Sequence, residues 1–257
     1  MKETRYFYVP EANENSELPD EEAQHALKVL RLSAGDDIVL IDGCGHFYDA
    51  EVTATDKRHC HYSIKKVLPQ ERLWTPHLHI AVAPTKNIDR IEWFVEKAVE
   101  IGVDEISFLN CQFSERRNIR TDRIEKIVVS AMKQSRKAWK TQVNEMADFQ
   151  SFLTRLGSAP VHKYICHCYD ENDIVNAILQ QQTPQEKDAS NTEKELLRDA
   201  LVNGNNAVVL VGPEGDFSVE EVIRAEMSGF LPVSLGDSRL RTETAALVAV
   251  HLMRLFA

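Results

Sequence analysis

Short apolar runs alternate with amphipathic stretches along most of the chain, and the pattern changes near residue 70. Beyond that point, apolar runs at residues 77–83, 106–109, 161–168 and 208–211 predict short, largely buried strands. Between the first two runs, apolar residues recur at helical spacing on one stripe that ends at Gly102. A strand, a helix and a strand in this order form a βαβ unit, which predicts a parallel sheet covered by helices, an α/β fold.

The last fifty residues contain two predicted strands, residues 208–211 and 232–236, each ending in a glycine turn. Ser218 and Glu221 form a capping box that starts a helix, Gly229 ends that helix, and residues 232–236 read as a strand. Residues 245–256 are apolar almost all round, which predicts a helix buried on more than one side. Loops that follow parallel strands lie at one edge of the sheet, so we expect a ligand pocket there.

The first seventy residues predict a small β-barrel. Short runs at residues 5–9, 38–41, 46–55 and 61–68 read as strands, and we expect Asp20 to cap a helix that extends through Leu30. Residues 69–76 are polar, carry proline at both ends and read as a linker. The expected domains are therefore residues 1–70 and 77–257.

Composition limits the classes of partner. The chain has 257 residues and a formal net charge of -10, so RNA binding needs a local basic patch. Residues 115–140 carry nine basic against three acidic side chains, and they form either such a patch or a solvated helix face. Five scattered cysteines and the lack of an apolar membrane-spanning run predict a reduced, cytoplasmic protein. Pairs of His and Cys at spacing two lack a second zinc-like pair, so we expect no metal.

The C-terminal loops bring together backbone amides and several polar side chains. The side chains are Glu214, Glu243, Arg239, Arg241, Thr242 and Thr244. This set suits a small polar ligand with an aromatic face, while the glycine spacing does not match ATP or NAD motifs. Two alternatives stay open from the spacing: ordinary strand-to-helix turns, and a hydrolase that uses Glu214 and Glu243.

Three segments of these loops resemble the C-terminal signature of the RsmE family. They are Val211-Gly212-Pro213-Glu214-Gly215, Ser234-Leu235-Gly236 and Leu240-Arg241-Thr242-Glu243-Thr244-Ala245. The resemblance implies a SPOUT-superfamily enzyme that methylates uracil N3 in 16S ribosomal RNA with S-adenosylmethionine. It further implies a C-terminal trefoil knot, a homodimer formed through the last helix, and a PUA-like N-terminal domain that assists RNA binding. Asp216 stands where the family usually has glycine, and Asp237-Ser238-Arg239 replaces a Pro-Arg-hydrophobic stretch.

The resemblance also implies roles for individual residues. The expected cofactor-binding residues are Leu210, Gly212, Pro213, Glu214, Gly215, Leu235, Gly236, Leu240, Thr242, Thr244 and Ala245. The expected RNA contacts are Arg5, Arg31, Lys86, Arg116, Arg117 and Arg136, with solvated surface charge as the alternative. Methylation of N3 needs a base that removes the N3 proton or a cation that stabilises the developing uracil anion. Glu243 is the hypothetical base, and Arg241 is the hypothetical anion stabiliser. A helix-start carboxylate is the alternative for Glu243.

Two other functions compete with this interpretation. In the first, the chain is a SPOUT methyltransferase that acts on another RNA, such as a transfer RNA. In the second, it is an RNA-binding relative that has lost catalysis. Cofactor binding separates the second possibility from the enzymes, because a pure RNA binder needs no S-adenosylmethionine.

Overall fold

The computed structural model describes residues 4–157, 159–169 and 194–257. The chain folds into two compact units. The first contains Met1–Trp74 and Lys126–Lys140, and the second contains Thr75–Glu125 and Thr141–Ala257. The segment Lys126–Lys140 therefore groups with the N-terminal residues, whereas the sequence pattern placed it within residues 77–257.

The first unit is built on a four-stranded sheet in the order β1-β2-β3-β4. The strands are β1 Tyr6–Tyr8, β2 Asp37–Ile41, β3 His46–Thr55 and β4 Cys60–Pro69. β1 runs parallel to β2, and the other pairs are antiparallel. Buried residues such as Phe7, Leu40 and Val52 pack into one core with Ala23 and Ala26 of the helical segment.

The helix of the first unit differs from its sequence prediction. Helix α1 spans Asp20–Gln24, and a π-helical turn, His25–Val29, continues it. Pro19, not Asp20, is the N-cap residue, and no side chain caps the helix. The extended backbone of Pro19 places Asp20 at the first helical position, where its carboxylate still faces the positive end of the helix dipole.

A tight turn between β2 and β3 explains why Lys126–Lys140 belongs to the first unit. The backbone amide of Gly45 donates to Ala138 O (2.9 Å), and the amide of Lys140 donates to Gly43 O (2.9 Å). Gly45 has φ +104 and lies so close to the Trp139 indole that an added Cβ would clash with the ring. This turn therefore requires glycine for both its conformation and its packing.

The second unit contains a sheet in the order β11-β9-β10-β5-β6-β7, with β8 also paired to β6. Its strands are β5 Leu78–Val82, β6 Glu105–Asn110, β7 Gln142–Val143, β8 Ala147–Asp148, β9 His162–Cys166, β10 Ala207–Val211 and β11 Leu231–Val233. Every pair is parallel. The predicted parallel α/β fold is confirmed, and the knot stays a prediction.

Helices lie between the strands of this sheet along the chain. They are α2 Ile88–Ile101, α3 Thr121–Gln134, α4 Phe149–Leu156, α5 Leu197–Ala200, α6 Val219–Met227 and α7 Thr242–Phe256. The predicted capping box of Ser218 and Glu221 is present in full, and Gly102 ends α2 in a left-handed conformation. Both features depend on local chemistry alone.

The C-terminal helix starts earlier than its apolar pattern suggests. Residues 242–244, expected in a loop, form the first turn of α7, because Arg241 has an extended backbone and acts as the N-cap residue. The preceding strand is also shorter than predicted and ends at Val233. Of the polar stretch at residues 170–206, to which no chemistry was assigned, residues 170–193 lie outside the described part. Within the described residues, no helix has the length and apolar character to cross a membrane.

Candidate functional site

A cavity of about 1340 Å³ lies at the carboxyl ends of strands β9, β10 and β11. Its walls come from residues 166–169, 211–216 and 233–242, together with Lys194, Leu196 and Ala245. Three strand ends meet here because β9 pairs in parallel with both β10 and β11. This is the sheet edge at which the two glycine turns predicted a pocket.

The turn after β10 packs closely against the residues that lead into the next helix, α6. Gly212 is fully covered, and a Cβ at this position would lie 3.1 Å from both the Phe217 ring and the Phe217 backbone nitrogen. Phe217 is buried among the apolar residues beneath the turn. A side chain at residue 212 would therefore push the cavity wall away from the core.

Glu214 links the cavity wall to the loop after β5. One of its carboxylate oxygens accepts a hydrogen bond from the Lys86 amide at 2.9 Å. The Arg116 guanidinium donates to the carbonyls of Thr85 (3.1 Å) and Lys86 (2.6 Å), and Lys86 Nζ lies 2.7 Å from Glu115. The structure thus joins Glu214, Lys86 and Arg116 in one network, although the sequence pattern assigned them to different ligands.

The cavity wall carries three cations, Lys194, Arg239 and Arg241, and three carboxylates, Glu214, Asp216 and Asp237. Arg239 and Arg241 are exposed on the wall, and neither forms an ion pair within the described residues. The carboxylates of Glu214 and Asp216 already accept backbone amides. The arginines are therefore available for an anionic ligand, such as a phosphate or a deprotonated base.

Glu243 lies in different surroundings from Arg241. Its carboxylate is buried, lies 3.8 Å from Arg90 Nε on α2, and is not part of the cavity lining. Its second oxygen is buried without a hydrogen-bond partner among the described residues. The two hypothetical catalytic residues therefore have different surroundings at the same helix start, and only Arg241 lines the cavity.

Nine of the eleven predicted cofactor-binding residues line the cavity. They are Gly212, Pro213, Glu214, Gly215, Leu235, Gly236, Leu240, Thr242 and Ala245. Leu210 is fully buried within its strand, and Thr244 is not part of the lining. Both exceptions follow from regular structure, because alternate residues of a strand and successive residues of a helix face different sides.

The predicted RNA contacts fall into both units. Arg5, Arg31 and Arg136 belong to the first unit, where Arg31 and Arg136 both have φ of 54° and Arg136 lies over the Tyr6 ring, 5.6 Å from its centroid. In the second unit, Arg117 lines a smaller cleft of about 340 Å³. Its guanidinium donates to Gln112 O at 3.1 Å.

The basic segment at residues 115–140 is partly neutralised. At least four of its nine cations form ion pairs with carboxylates: Arg120 with Asp122, Arg123 with Glu92, Lys126 with Glu21 and Lys133 with Glu22. Such pairs lower the charge available to a phosphate backbone. The count of nine basic residues therefore overstates the local positive charge.

Sequence reasoning missed one wall of the cavity. Residues 166–169 and Lys194 line it, and the Lys194 ammonium donates to His167 O at 2.7 Å. The end of the predicted strand at residues 161–168 was an available signal, since it had to reach the same sheet edge. No such sequence signal existed for Lys194, because its position depends on contacts with residues distant in sequence.

Metal ligation has no structural basis in residues 4–157, 159–169 and 194–257. No three side chains of His, Cys, Asp or Glu in these ranges are grouped closely enough to hold an ion. Two carboxylates of the cavity wall, Glu214 and Asp216, instead accept backbone amides.

Two family models match the chain. The RNA methyltransferase domain matches residues 73–254, and the RNA methyltransferase PUA domain matches residues 18–65. The first match covers more than half of the chain and includes the whole lining of the cavity.

Similar proteins extend over nearly the full length. A probable rRNA-methyltransferase from Porphyromonas gingivalis has a crystal structure with 38% identity and a TM-score of 0.81, over 98% of each chain. The ribosomal RNA small subunit methyltransferase E from Neisseria gonorrhoeae, solved bound to S-adenosyl methionine, has 26% identity and a TM-score of 0.80 over 98% of each chain. The protein of the same name from Rickettsia conorii is 25% identical over 99% of this chain and 96% of its own length.

Proposed function

Because the chain belongs to the RsmE family of RNA methyltransferases, we propose that it methylates N3 of a specific uridine in 16S ribosomal RNA of the small subunit. The methyl donor is S-adenosylmethionine. The observation that carries the proposal is the cavity at the carboxyl edge of the sheet, lined by nine residues expected to bind this cofactor.

The cavity fits S-adenosylmethionine in size and in chemistry. Its volume of about 1340 Å³ exceeds the roughly 300–1000 Å³ of most small-molecule pockets, so it has room for the cofactor. Leu235 and Leu240 supply apolar surface for an adenine, and the turns around Gly212 and Gly236 supply backbone amides and carbonyls. When bound, the cofactor supplies an electrophilic methyl group on a sulfonium.

The residues of the chain must make uracil N3 nucleophilic. N3 carries a proton at neutral pH and is paired within helices, so the target base has to be unpaired and its N3 proton removed. We assign Arg241, exposed on the cavity wall without an ion pair in the described residues, to stabilise the developing uracil anion. Glu243, two residues further along at the start of α7, is the proposed base.

RNA binding is proposed to use both units. Arg5, Arg31 and Arg136 of the first unit, which includes the PUA match, contact the RNA backbone. In the second unit, the proposed RNA contacts are Lys86, Arg116 and Arg117. Lys86 and Arg116 lie beside the turn after β10, because the Lys86 amide donates to Glu214 and Arg116 donates to Lys86 O; the Lys86 ammonium itself pairs with Glu115. On this proposal, residues 1–70 act as the RNA-binding domain and residues 77–257 as the methyltransferase domain.

We further propose a cytoplasmic homodimer. Helices α2 and α7 pack against each other, and they leave Trp93, Leu255 and Phe256 exposed by 45%, 60% and 42%. Such large apolar side chains favour a second copy as the partner. Sedimentation as a monomer at micromolar concentration would contradict this proposal.

The test is methyl transfer from labelled S-adenosylmethionine to small subunits that lack the modification. We expect label in 16S RNA, and none in large subunits or transfer RNA. Label in transfer RNA alone would favour the other methyltransferase interpretation. Cofactor binding without transfer to any RNA would favour a protein that has lost catalysis.

A further inference from the structure

Asp216 combines two features that an ordinary turn residue does not need. Its backbone has φ of 66°, a left-handed conformation that glycine adopts at low cost and that other residues adopt rarely. Asp216 also carries a carboxylate into the wall of the cavity. Backbone strain at such a position persists only when surrounding contacts compensate for it.

The Asp216 carboxylate connects two walls of the cavity. One oxygen accepts the amide of Cys168, in the segment after β9, at 2.7 Å. The other accepts the amide of Phe217, in its own turn, at 2.8 Å. Because both oxygens accept amide hydrogens, we assign this carboxylate to the wall and not to a ligand.

Further contacts hold the same segment, which contains residues 166–169. The Tyr169 hydroxyl donates to Phe217 O at 2.8 Å, next to the Asp216 contact. On the other side, Lys194 Nζ donates to His167 O at 2.7 Å. Neither contact replaces the one from Asp216, in which a carboxylate accepts a backbone amide of the segment.

We propose that Asp216 is a positioning residue for the cofactor, because its carboxylate fastens residues 166–169 to the turn after β10. Two walls of the cavity are thereby held in their binding geometry before the ligand arrives. Preorganisation of this kind raises affinity, since the wall need not be ordered on binding. The inference rests on the proposed use of the cavity for S-adenosylmethionine.

The first test measures S-adenosylmethionine binding by calorimetry in Asp216→Gly and Asp216→Asn. Both residues tolerate the left-handed backbone, but Gly has no acceptor and Asn keeps one oxygen. We expect affinity to fall about tenfold in the Gly variant and less in the Asn variant. Wild-type affinity in both variants would overturn the proposal, because the residue would then serve the backbone conformation alone.

A matched control removes the same kind of carboxylate elsewhere. Asp56 also accepts two backbone amides, from Arg58 at 2.7 Å and His59 at 2.8 Å, in the turn between β3 and β4 of the first unit. Asp56→Gly removes one carboxylate and the acceptor of two amides, as Asp216→Gly does, but both amides belong to the local turn. We therefore expect cofactor affinity to stay at the wild-type value. An equal loss of affinity in this control would show a nonspecific effect and contradict the proposal.

A second readout does not depend on the cofactor. Partial desolvation and the nearby Asp216 carboxylate raise the pKa of the Cys168 thiol, which slows its reaction with a disulfide reagent. In a Cys44→Ser background, which removes the exposed thiol of the first unit, we expect Asp216→Gly to speed labelling of Cys168 several-fold. Unchanged labelling would overturn the proposal. If the wild-type protein bound no S-adenosylmethionine, the proposed function would fail, while this readout would still decide whether Asp216 fastens the segment.

Discussion

Arg241 and Glu243 show how one helix start gives two neighbouring residues different surroundings. Arg241 is the N-cap residue of α7, exposed on the cavity wall, whereas Glu243 is buried 3.8 Å from Arg90 on α2. Both are catalytic hypotheses that follow from the family resemblance and from the need to remove the N3 proton. Their separation follows from the helix beginning at Thr242, because each residue turns the side chain by about 100° and two residues turn it by about 200°.

Replacement of Glu243 by Gln tests the proposed base. If its carboxylate removes the N3 proton, Glu243→Gln should lower kcat by about 100-fold or more while the Kd for S-adenosylmethionine stays constant. Arg90→Gln is the matched control, because it removes the other member of the ion pair and leaves the carboxylate. Wild-type turnover by Glu243→Gln would remove Glu243 from that role. An equal loss in both variants would assign the pair to structure.

At the scale of elements, local chemistry was easier to predict than tertiary contact. The capping box at Ser218, the left-handed end of α2 at Gly102 and the strand His46–Thr55 agree with the sequence pattern. In contrast, no short stretch of sequence predicts the π-helical turn at His25–Val29 or the packing of Trp139 on Gly45. The second of these joins residues that lie far apart along the chain.

The turn between β2 and β3 provides a test of that tertiary contact. Gly45→Ala places a methyl group against the Trp139 ring at φ +104, whereas Gly35→Ala has a similar φ of +90 and open space around it. We expect Gly35→Ala to cost about 1 kcal/mol in unfolding free energy. Gly45→Ala should cost about 1–3 kcal/mol more through overpacking. Thermal denaturation followed by tryptophan fluorescence measures both, and equal losses would contradict the packing argument.

At the scale of the whole molecule, an acidic protein must bind RNA through a few cations. The net charge is -10, and at least four of the nine basic residues at positions 115–140 are paired with carboxylates. The sequence predicted the sheet edge and nine of the residues that line the cavity, because motif and strand pattern are local. It could not predict Lys194 or the Asp216 contact to Cys168, since both join segments across the fold.

Acid stability of the second unit depends on a buried network at the opposite sheet edge. A hydrogen bond from His77 holds the pKa of Glu105 at about 2, and burial lowers the pKa of His79 to about 4. His79 Nε2 lies 2.8 Å from Ser107 Oγ. Both lowered pKa values mean that the unfolded chain binds more protons than the folded one as the pH falls.

We therefore expect stability to decline below pH about 6.5, first through His79 and then, between about 4.5 and 2, through Glu105. His79→Gln should flatten the decline between pH 6.5 and 4, because glutamine does not titrate. His162→Gln, at an exposed position on β9, is the control and should leave the slope unchanged. Chemical denaturation across this pH range measures the free energy of unfolding. An identical dependence of that free energy on pH in wild type and His79→Gln would contradict the assignment.

The central claim is tested most directly by mass spectrometry of the nucleosides recovered after methyl transfer to unmodified small subunits. The account predicts N3-methyluridine at a single site in 16S RNA, with none formed when S-adenosylmethionine is left out. Methylation of a ribose hydroxyl, of another base, or of no nucleoside by a protein that still binds the cofactor would contradict it.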